Sequence, residues 1–153
     1  MTRLYFAYGS NMSRARMRER VPGAESLGPS RLPGHGLRVD KRGVDGSAKA
    51  NLVAEPAEHV WGVLYRIPHA GAPTLDAFER GYQRLDVVVE ADGASHGAFA
   101  YRSHRRIEAL PFDWYVELML TGAREHGLPR GWIERLVALR RQPTVAARTS
   151  WPA

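Results

Sequence analysis

The sequence predicts an α+β domain, because strand-like segments fill its first two thirds and helical patterns fill its last third. The chain has 153 residues and is 44% hydrophobic, which suits one domain with one buried core. The sequence shows no internal repeat, no linker and no second domain. We therefore expect residues 1–153 to form a single domain.

A strand, a tight turn and a short helix are predicted at the start of the chain. Residues 4–8 form an apolar, aromatic run of strand length, and residues 9–11 (Gly-Ser-Asn) stop it. Ser13 is suited to cap a helix, and Pro22 with Gly23 would end that helix after about two turns.

Five further strands are predicted along the first two thirds of the chain, which makes six with residues 4–8. Residues 28–36 carry three glycines and two prolines and are predicted to be a connection. Residues 41–49 have no apolar period and are predicted to form a mobile surface loop that could act as a lid. The five strand candidates are Leu37–Val39, Ala50–Ala54, Val60–Ile67, Leu85–Glu90 and Gly97–Tyr101.

Two helices are predicted in the last third. An apolar stripe with charged residues opposite indicates an amphipathic helix from about Asp113, and Gly127 followed by Leu128 and Pro129 is typical of a helix end. A final helix is expected over Trp132–Arg141. Its buried residues should be Ile133, Leu136 and Val137.

The composition excludes several kinds of site. With no cysteine, the chain has no disulfide, thiolate nucleophile or cysteine-ligated metal. The six histidines show no metal-ligand spacing, so neither a metal nor a cofactor is expected. Apolar runs fall short of the roughly 20 residues of a membrane span, and no leader-like segment begins the chain. We expect a cytoplasmic protein with no membrane contact.

The positive charge does not by itself predict a nucleic-acid partner. The net charge is +6, but the only lysines are Lys41 and Lys49, and the arginine excess fits a general bias towards Ala, Gly and Arg. A densest cluster, at positions 14, 16, 18 and 20, has a spacing of two that spreads its guanidinium groups around a helix. No nucleic-acid binding is expected.

Glu79 is the first candidate for chemistry. A short helix is predicted from Thr74, as its cap, to Gly81, and in it Glu79 shares one arc with Leu75 and Phe78. An apolar setting disfavours the charged carboxylate and raises its pKa towards the range useful for proton transfer. Alternatively, Glu79 forms a structural ion pair with Arg80, Arg84 or another arginine, and the helix pattern alone favours that interpretation.

The turn at Tyr8-Gly9-Ser10-Asn11 is the second candidate. Backbone N–H groups at the mouth of a helix can bind a carboxylate or a developing oxyanion, and Gly9 would let a substrate approach the backbone closely. An ordinary glycine turn would have the same residues. It is not a nucleophile elbow, because the glycine-x-serine-x-glycine arrangement is missing.

Four blocks in the same order resemble the γ-glutamylcyclotransferase family, and the similarity runs from Tyr5 to Leu139. The resemblance implies a small mixed β-barrel of about six strands flanked by helices. The blocks are residues 5–12 (YFAYGSNM), 58–65 (EHVWGVLY), 75–79 (LDxxE) and 122–129 (GAREHGLP).

The resemblance also implies a site. Glu79 would be the catalytic acid and base, and Tyr82 would be a substrate tyrosine, although Arg80 replaces the family's usual glycine and the segment to Tyr82 is shorter. The remaining substrate-binding residues implied are Tyr5, Phe6, Ala7, Tyr8, Gly9, Ser10, Asn11 and Tyr115.

The activity implied is the cyclisation of a γ-glutamyl amide to 5-oxoproline with release of the amine. The substrate's own α-amine attacks, so the enzyme needs no nucleophile and forms no covalent intermediate, as suits a chain without cysteine. The expected partner is a small γ-glutamyl compound, and the expected assembly is a monomer or a homodimer. Removal of a γ-glutamyl protecting group, a non-catalytic metabolite-binding module and an arginine-rich nucleic-acid binder are the alternatives.

Overall fold

The computed structural model describes residues 1–143, whose centre is a closed β-barrel with the strand order β1-β3-β2-β4-β5. Strand β1 pairs with β5 in parallel, while the other neighbours are antiparallel, so the barrel is mixed. The strands are β1 (Thr2–Ala7), β2 (Glu25–Arg42), β3 (Ala48–Pro68), β4 (Gln83–Ala91) and β5 (Ala94–Arg102).

Helices flank this barrel, which confirms the α+β class. A single 3-10 turn, Ser10–Met12, follows β1 directly. None of the helices within residues 1–143 is long and apolar enough to cross a membrane. The α-helices are α1 (Arg14–Arg20), α2 (Gly71–Phe78), α3 (Asp113–Glu125) and α4 (Arg130–Val137).

The barrel has five strands, where the sequence predicted six. The candidates Ala50–Ala54 and Val60–Ile67 are parts of the one long strand β3. The predicted connection at residues 28–36 was also wrong, because it lies within β2. Its irregular composition is absorbed by register shifts around Gly28 and Gly34, both of which have positive φ. Such bulges accommodate glycine and proline inside a strand.

Residues 41–49 form the tip of the β2–β3 hairpin, with a shorter irregular segment than the sequence predicted. The Gly43 N–H donates to the Ser47 carbonyl over 2.9 Å, and the Ser47 hydroxyl donates to Asp45 Oδ1 over 2.6 Å. Ser47 and Ala48 are buried. The hairpin is therefore anchored by its own hydrogen bonds, and lid motion stays a prediction.

The predicted cap of α1 is confirmed and that of α2 was wrong. Ser13 accepts a hydrogen bond from the Arg16 N–H over 3.3 Å, as an N-cap does. Helix α2 starts at Gly71, so Thr74 lies inside it and donates to the Ala70 carbonyl instead. Of the predicted arc, Leu75 is fully buried, whereas Phe78, the last residue of the helix, is 50% exposed and not part of the core.

Helix α4 is shorter than predicted. It begins at Arg130 and ends at Val137, not at Arg141. Leu136 is fully buried, but Val137 is 50% exposed, which corrects its assignment to the core. Helix α3 starts where predicted, and the chain after it turns at Gly127 with a φ of +65°.

Close packing of α3 on the 3-10 turn fixes the part of the fold that carries the candidate site. A Cβ atom on Gly122 would lie 2.2 Å from the Met12 carbonyl carbon, so only glycine allows this approach. The Tyr65 hydroxyl donates to the Met12 carbonyl over 3.1 Å from the barrel side. The turn after β1 is thus held between the barrel and α3.

Candidate active site

A cavity with an empty volume of about 290 Å³, its open mouth included, lies between the turn after β1, strand β3 and helix α3. Most of the residues that the sequence singled out line it, and two others, Ala50 and Tyr101, do so as well. The predicted residues brought together here are Tyr5, Tyr8, Gly9, Ser10, Asn11, Glu79, Tyr82 and Tyr115.

Two predicted residues, Phe6 and Ala7, do not line the cavity. Both are fully buried. Gly62 of the neighbouring strand packs against the Phe6 ring and the Ala7 carbonyl, and a Cβ atom at Gly62 would lie 2.3 Å from that carbonyl oxygen. These residues therefore belong to the barrel wall.

Glu79 lies at the inner edge of the cavity, just after the last turn of α2. Its side chain is 13% exposed. Oε1 accepts a hydrogen bond from Asn11 Nδ2 over 2.7 Å and another from Arg20 Nη1 over 3.3 Å. No donor among residues 1–143 bonds to Oε2. One carboxylate oxygen is thus held in place while the other is left for a ligand.

The arginine partner that the sequence left open is Arg20, not Arg80. Arg20 Nη1 also donates to Asn11 Oδ1 over 3.0 Å, and Asn11 Nδ2 donates to the Tyr5 hydroxyl over 3.0 Å. Glu79, Asn11 and Arg20 therefore form one closed network at 13–15% exposure of the two charged side chains. Because the network fixes the carboxylate, the ion pair is compatible with a chemical role.

Burial raises the pKa of Glu79 above its ordinary value. The Arg20 charge, the Asn11 hydrogen bond and the more distant Arg16 and Lys41 charges lower the pKa of Glu79, but burial outweighs them. A raised pKa moves a carboxyl group towards the range in which it can accept and then return a proton.

The cavity wall contains tyrosine hydroxyls whose hydrogen atoms are already committed. Tyr8 donates to the Tyr101 carbonyl, and Tyr82 donates to the Ala50 carbonyl, each over 2.5 Å. Tyr101 donates to Asp76 Oδ1. These three rings are therefore fixed and form the rigid part of the wall.

Two other tyrosines present hydroxyl groups that only accept hydrogen bonds from the described part of the chain. The Tyr5 hydroxyl accepts from Asn11 Nδ2, and the Tyr115 hydroxyl accepts from the Ala50 N–H over 2.9 Å. A hydroxyl that accepts in this way still has its own hydrogen to donate. Tyr5 and Tyr115 can therefore donate to an oxygen of a bound ligand.

Proton transfer near neutral pH falls to Glu79 rather than to these tyrosines. Burial raises the pKa of Tyr115 to about 12 and the pKa of Tyr5 well above its ordinary value. It does the same to the pKa values of Tyr8 and Tyr82. The phenols remain protonated at neutral pH and act as hydrogen-bond donors.

Gly9 leaves the room in which a ligand could contact the backbone. A Cβ atom there would lie 3.0 Å from the Tyr115 hydroxyl oxygen and 3.2 Å from the Ala50 Cβ atom. Its φ of −111° is open to any residue, so the requirement is for space and not for a special backbone conformation.

A wider vestibule with about 710 Å³ of empty space, open solvent included, lies outside the cavity and shares Ser10, Glu79, Tyr82 and Tyr115 with it. Its walls come from α1, the β2–β3 hairpin and the start of α3. Cations dominate it, whereas none lines the inner cavity. The five are Arg16, Arg20, Lys41, Lys49 and Arg80, of which only Arg80 is exposed.

Sequence reasoning missed the four vestibule cations other than Arg80 and the wall residues Ala50 and Tyr101. The α1 signal was present, because Arg16 and Arg20 are one helical turn apart and share a face, while Arg14 and Arg18 are exposed. The positions of Lys41, Ala50 and Tyr101 depend on strand pairing and have no local signal.

Among residues 1–143, no group of three or more His, Cys, Asp or Glu side chains could hold a metal ion.

The fold and site together define a small barrel domain with an acid–base carboxylate in a tyrosine-lined pocket. The chain belongs to the AIG2-like family, whose model matches residues 59–136. This match confirms the resemblance inferred from the sequence blocks.

Known γ-glutamylcyclotransferases are similar to this chain over most of its length. The mouse protein of that name is 29% identical over 150 residues, spanning 90% of this chain and 79% of the mouse protein. The human protein is 28% identical over 148 residues, spanning 89% and 78%. A solved γ-glutamyl cyclotransferase structure, 27% identical, superposes with a TM-score of 0.87 over 93% of this chain and 90% of that one. The barrel architecture is the same.

Proposed function

We propose that the protein is a γ-glutamylcyclotransferase, an enzyme that converts a γ-glutamyl amide into 5-oxoproline and a free amine. The observation that carries the proposal is that only one oxygen of the Glu79 carboxylate has donors. Asn11 and Arg20 donate to Oε1, while Oε2 has no donor within the described part of the chain. The names and similarity of the mouse and human relatives support the same activity.

The proposed reaction is an intramolecular ring closure. The α-amino nitrogen of the substrate attacks its own γ-carbonyl carbon and forms the new C–N bond of a five-membered lactam. Collapse of the tetrahedral intermediate then breaks the original amide C–N bond. No atom of the enzyme enters a covalent bond with the substrate.

Glu79 would move the protons in both steps. As a carboxylate, it takes a proton from the α-ammonium group through Oε2 and so frees the attacking lone pair. As a carboxylic acid, it gives that proton to the leaving nitrogen, which departs as a neutral amine. The attacking nitrogen loses its second proton on becoming the lactam N–H, and the regenerated Glu79 carboxylate takes up this proton and releases it to water. The raised pKa of Glu79 supports both roles, because it makes the protonated form more accessible than it is for a free glutamate.

The tyrosine hydroxyls and the turn at Gly9 would position the substrate. Tyr5 and Tyr115 each have a hydrogen to donate to a substrate oxygen, and backbone N–H groups near Gly9 and Ser10 would steady it further. Holding the reacting atoms in line can supply about 7–11 kcal/mol of an intramolecular reaction's advantage. The rigid tyrosine wall is suited to that task.

The same proposal extends to the setting of the enzyme. We propose that residues 1–153 act as one domain, in the cytoplasm, as a monomer or homodimer, on a small γ-glutamyl compound and without nucleic acid. Residues 144–153 lie outside those that the structure describes. A role in releasing a γ-glutamyl protecting group would use the same residues and the same chemistry.

The test is direct detection of the product. Purified protein is incubated with γ-glutamyl-alanine, and 5-oxoproline and alanine are quantified by mass spectrometry, with Glu79→Gln as the matched control. Equimolar 5-oxoproline and alanine from the wild type, and neither from the variant, is the expected result. Binding of the dipeptide by calorimetry without any 5-oxoproline would instead establish the metabolite-binding module.

A further inference from the structure

The substrate site has two parts, an inner cavity that no cation lines and an outer vestibule that cations line. No lysine or arginine lines the inner cavity, whereas five line the vestibule. Glu79 lies on the boundary because it contributes to both. A group bound beyond Glu79 therefore meets a surface of positive charge.

Three of the five vestibule cations already have protein acceptors. Arg20 pairs with Glu79 over 3.3 Å, and Lys49 pairs with Asp45 over 3.1 Å. Lys41 donates to the Arg80 carbonyl over 2.6 Å. These contacts hold the three side chains against acceptors of the protein itself.

Arg80 is exposed to water, so Arg16 is the half-buried vestibule cation that has no acceptor among residues 1–143. Its guanidinium forms no ion pair or side-chain hydrogen bond with any of residues 1–143, and its buried Nε atom has no partner. The group lies over the Trp114 ring, 5.8 Å from the ring centre, at the vestibule wall. Burial and then the neighbouring Arg20 charge lower the pKa of Arg16. A half-buried arginine without an acceptor fits an anionic ligand.

The proposed reaction places an anion in this position. If Glu79 protonates the leaving nitrogen, the leaving group lies on the vestibule side of Glu79. An α-amino acid as leaving group carries its carboxylate on the carbon next to that nitrogen, so the carboxylate enters the vestibule close to Glu79. A simple amine has no such group, and an isopeptide through a lysine side chain has it several bonds further away.

We propose that Arg16 is a specificity-determining residue that binds the carboxylate of the leaving group. This inference rests on the proposed function. It assigns Arg16 to the selection of γ-glutamyl α-amino acids over γ-glutamyl amines. The planar guanidinium, already supported by the Trp114 ring, suits bidentate binding of a carboxylate.

Two substrates that differ only in this charge provide the test. γ-Glutamyl-alanine and γ-glutamyl-alaninamide have nearly the same shape, but only the first has the carboxylate. The wild type should favour the first by about 10- to 100-fold in kcat/KM, the value of one charge-assisted hydrogen-bonding pair. Arg16→Gln should lose that factor on γ-glutamyl-alanine and change little on the amide. Arg16→Lys should recover part of the preference.

Arg18→Gln is the matched control, because Arg18 is on the same helix but exposed and outside the vestibule. It should leave the kinetics of both substrates unchanged. Equal kcat/KM values for the two substrates in the wild type, or an equal loss on both in Arg16→Gln, would overturn the role of Arg16 while cyclotransfer stands. If neither substrate yielded 5-oxoproline, the proposed function and this inference would both fail.

Discussion

Replacing Glu79 with glutamine separates a chemical role of this residue from a structural one. Glutamine keeps a carbonyl oxygen at the position of Oε1, so it can still accept the hydrogen bonds from Asn11 and Arg20. It replaces the uncommitted Oε2 by an amide nitrogen, which cannot act as a base. The change therefore removes the proton carrier and retains most of the local geometry.

The expected kinetic effect is large and the expected effect on stability is small. Loss of general acid–base catalysis should lower kcat by about 10²- to 10⁴-fold. Two effects on stability oppose each other: a neutral side chain at 13% exposure costs less to bury, while Arg20 loses its ionic partner. We expect a net change in the free energy of unfolding of about 1 kcal/mol or less, or roughly 2–4 °C in Tm.

The assay combines steady-state kinetics with calorimetry. Release of 5-oxoproline from γ-glutamyl-alanine gives kcat and KM for the wild type and Glu79→Gln, and substrate binding to the inactive variant gives Kd. Differential scanning calorimetry of both proteins gives Tm. If Glu79 is the catalytic acid and base, kcat falls while Kd and Tm stay nearly unchanged.

The pH dependence provides an independent check with a defined sign. Glu79 must be deprotonated to accept the first proton, so kcat/KM should rise with pH through the pKa of Glu79. Because burial raises that pKa, the acid limb should lie above the value of about 4.3 for a free glutamate. This limb should be absent from the residual activity of Glu79→Gln.

A structural ion pair gives the opposite pattern. In that case the variant would retain kcat, and the loss would be in stability alone, because Arg20, at 15% exposure, would exchange an ionic partner for a neutral one. A fully active Glu79→Gln protein would refute the catalytic assignment and leave the metabolite-binding module as the better hypothesis.

Three further substitutions test the walls of the cavity. Gly9→Val should abolish 5-oxoproline release, because even its Cβ atom would lie 3.0 Å from the Tyr115 hydroxyl oxygen; normal kcat/KM in the folded variant would place the substrate elsewhere. Tyr115→Phe should weaken transition-state binding, as measured by kcat/KM, by about 0.5–1.5 kcal/mol. It should also lower the free energy of unfolding by about 1–3 kcal/mol, since the buried Ala50 N–H loses its acceptor. Loss of stability with unchanged kinetics would assign Tyr115 to the core. Asn11→Leu removes a hydrogen bond that lowers the pKa of Glu79, so the acid limb of kcat/KM should move to higher pH, and an unmoved limb would contradict the network.

The sequence determined the local features whose signals lie within a few residues. Ser13 could be assigned as a helix cap because capping involves a hydroxyl and an N–H three positions apart. Helix α3 could be recognised because an amphipathic stripe repeats with the helical period. Glu79 and the turn at Gly9 were identified as candidate site residues, and the resemblance to the family indicated that they belong to one site.

Only the tertiary structure decided which of these features meet. The contact between Asn11 and Glu79 joins residues that are 68 positions apart, and no local pattern encodes it. The merging of two predicted strands into β3 depended on pairing with β2, which tolerates proline and glycine at bulges. The arginine partner of Glu79 was Arg20 of another helix, because a charge pairs with what the fold brings near it. Burial of Glu79, and hence its raised pKa, likewise follows from the elements packed around it.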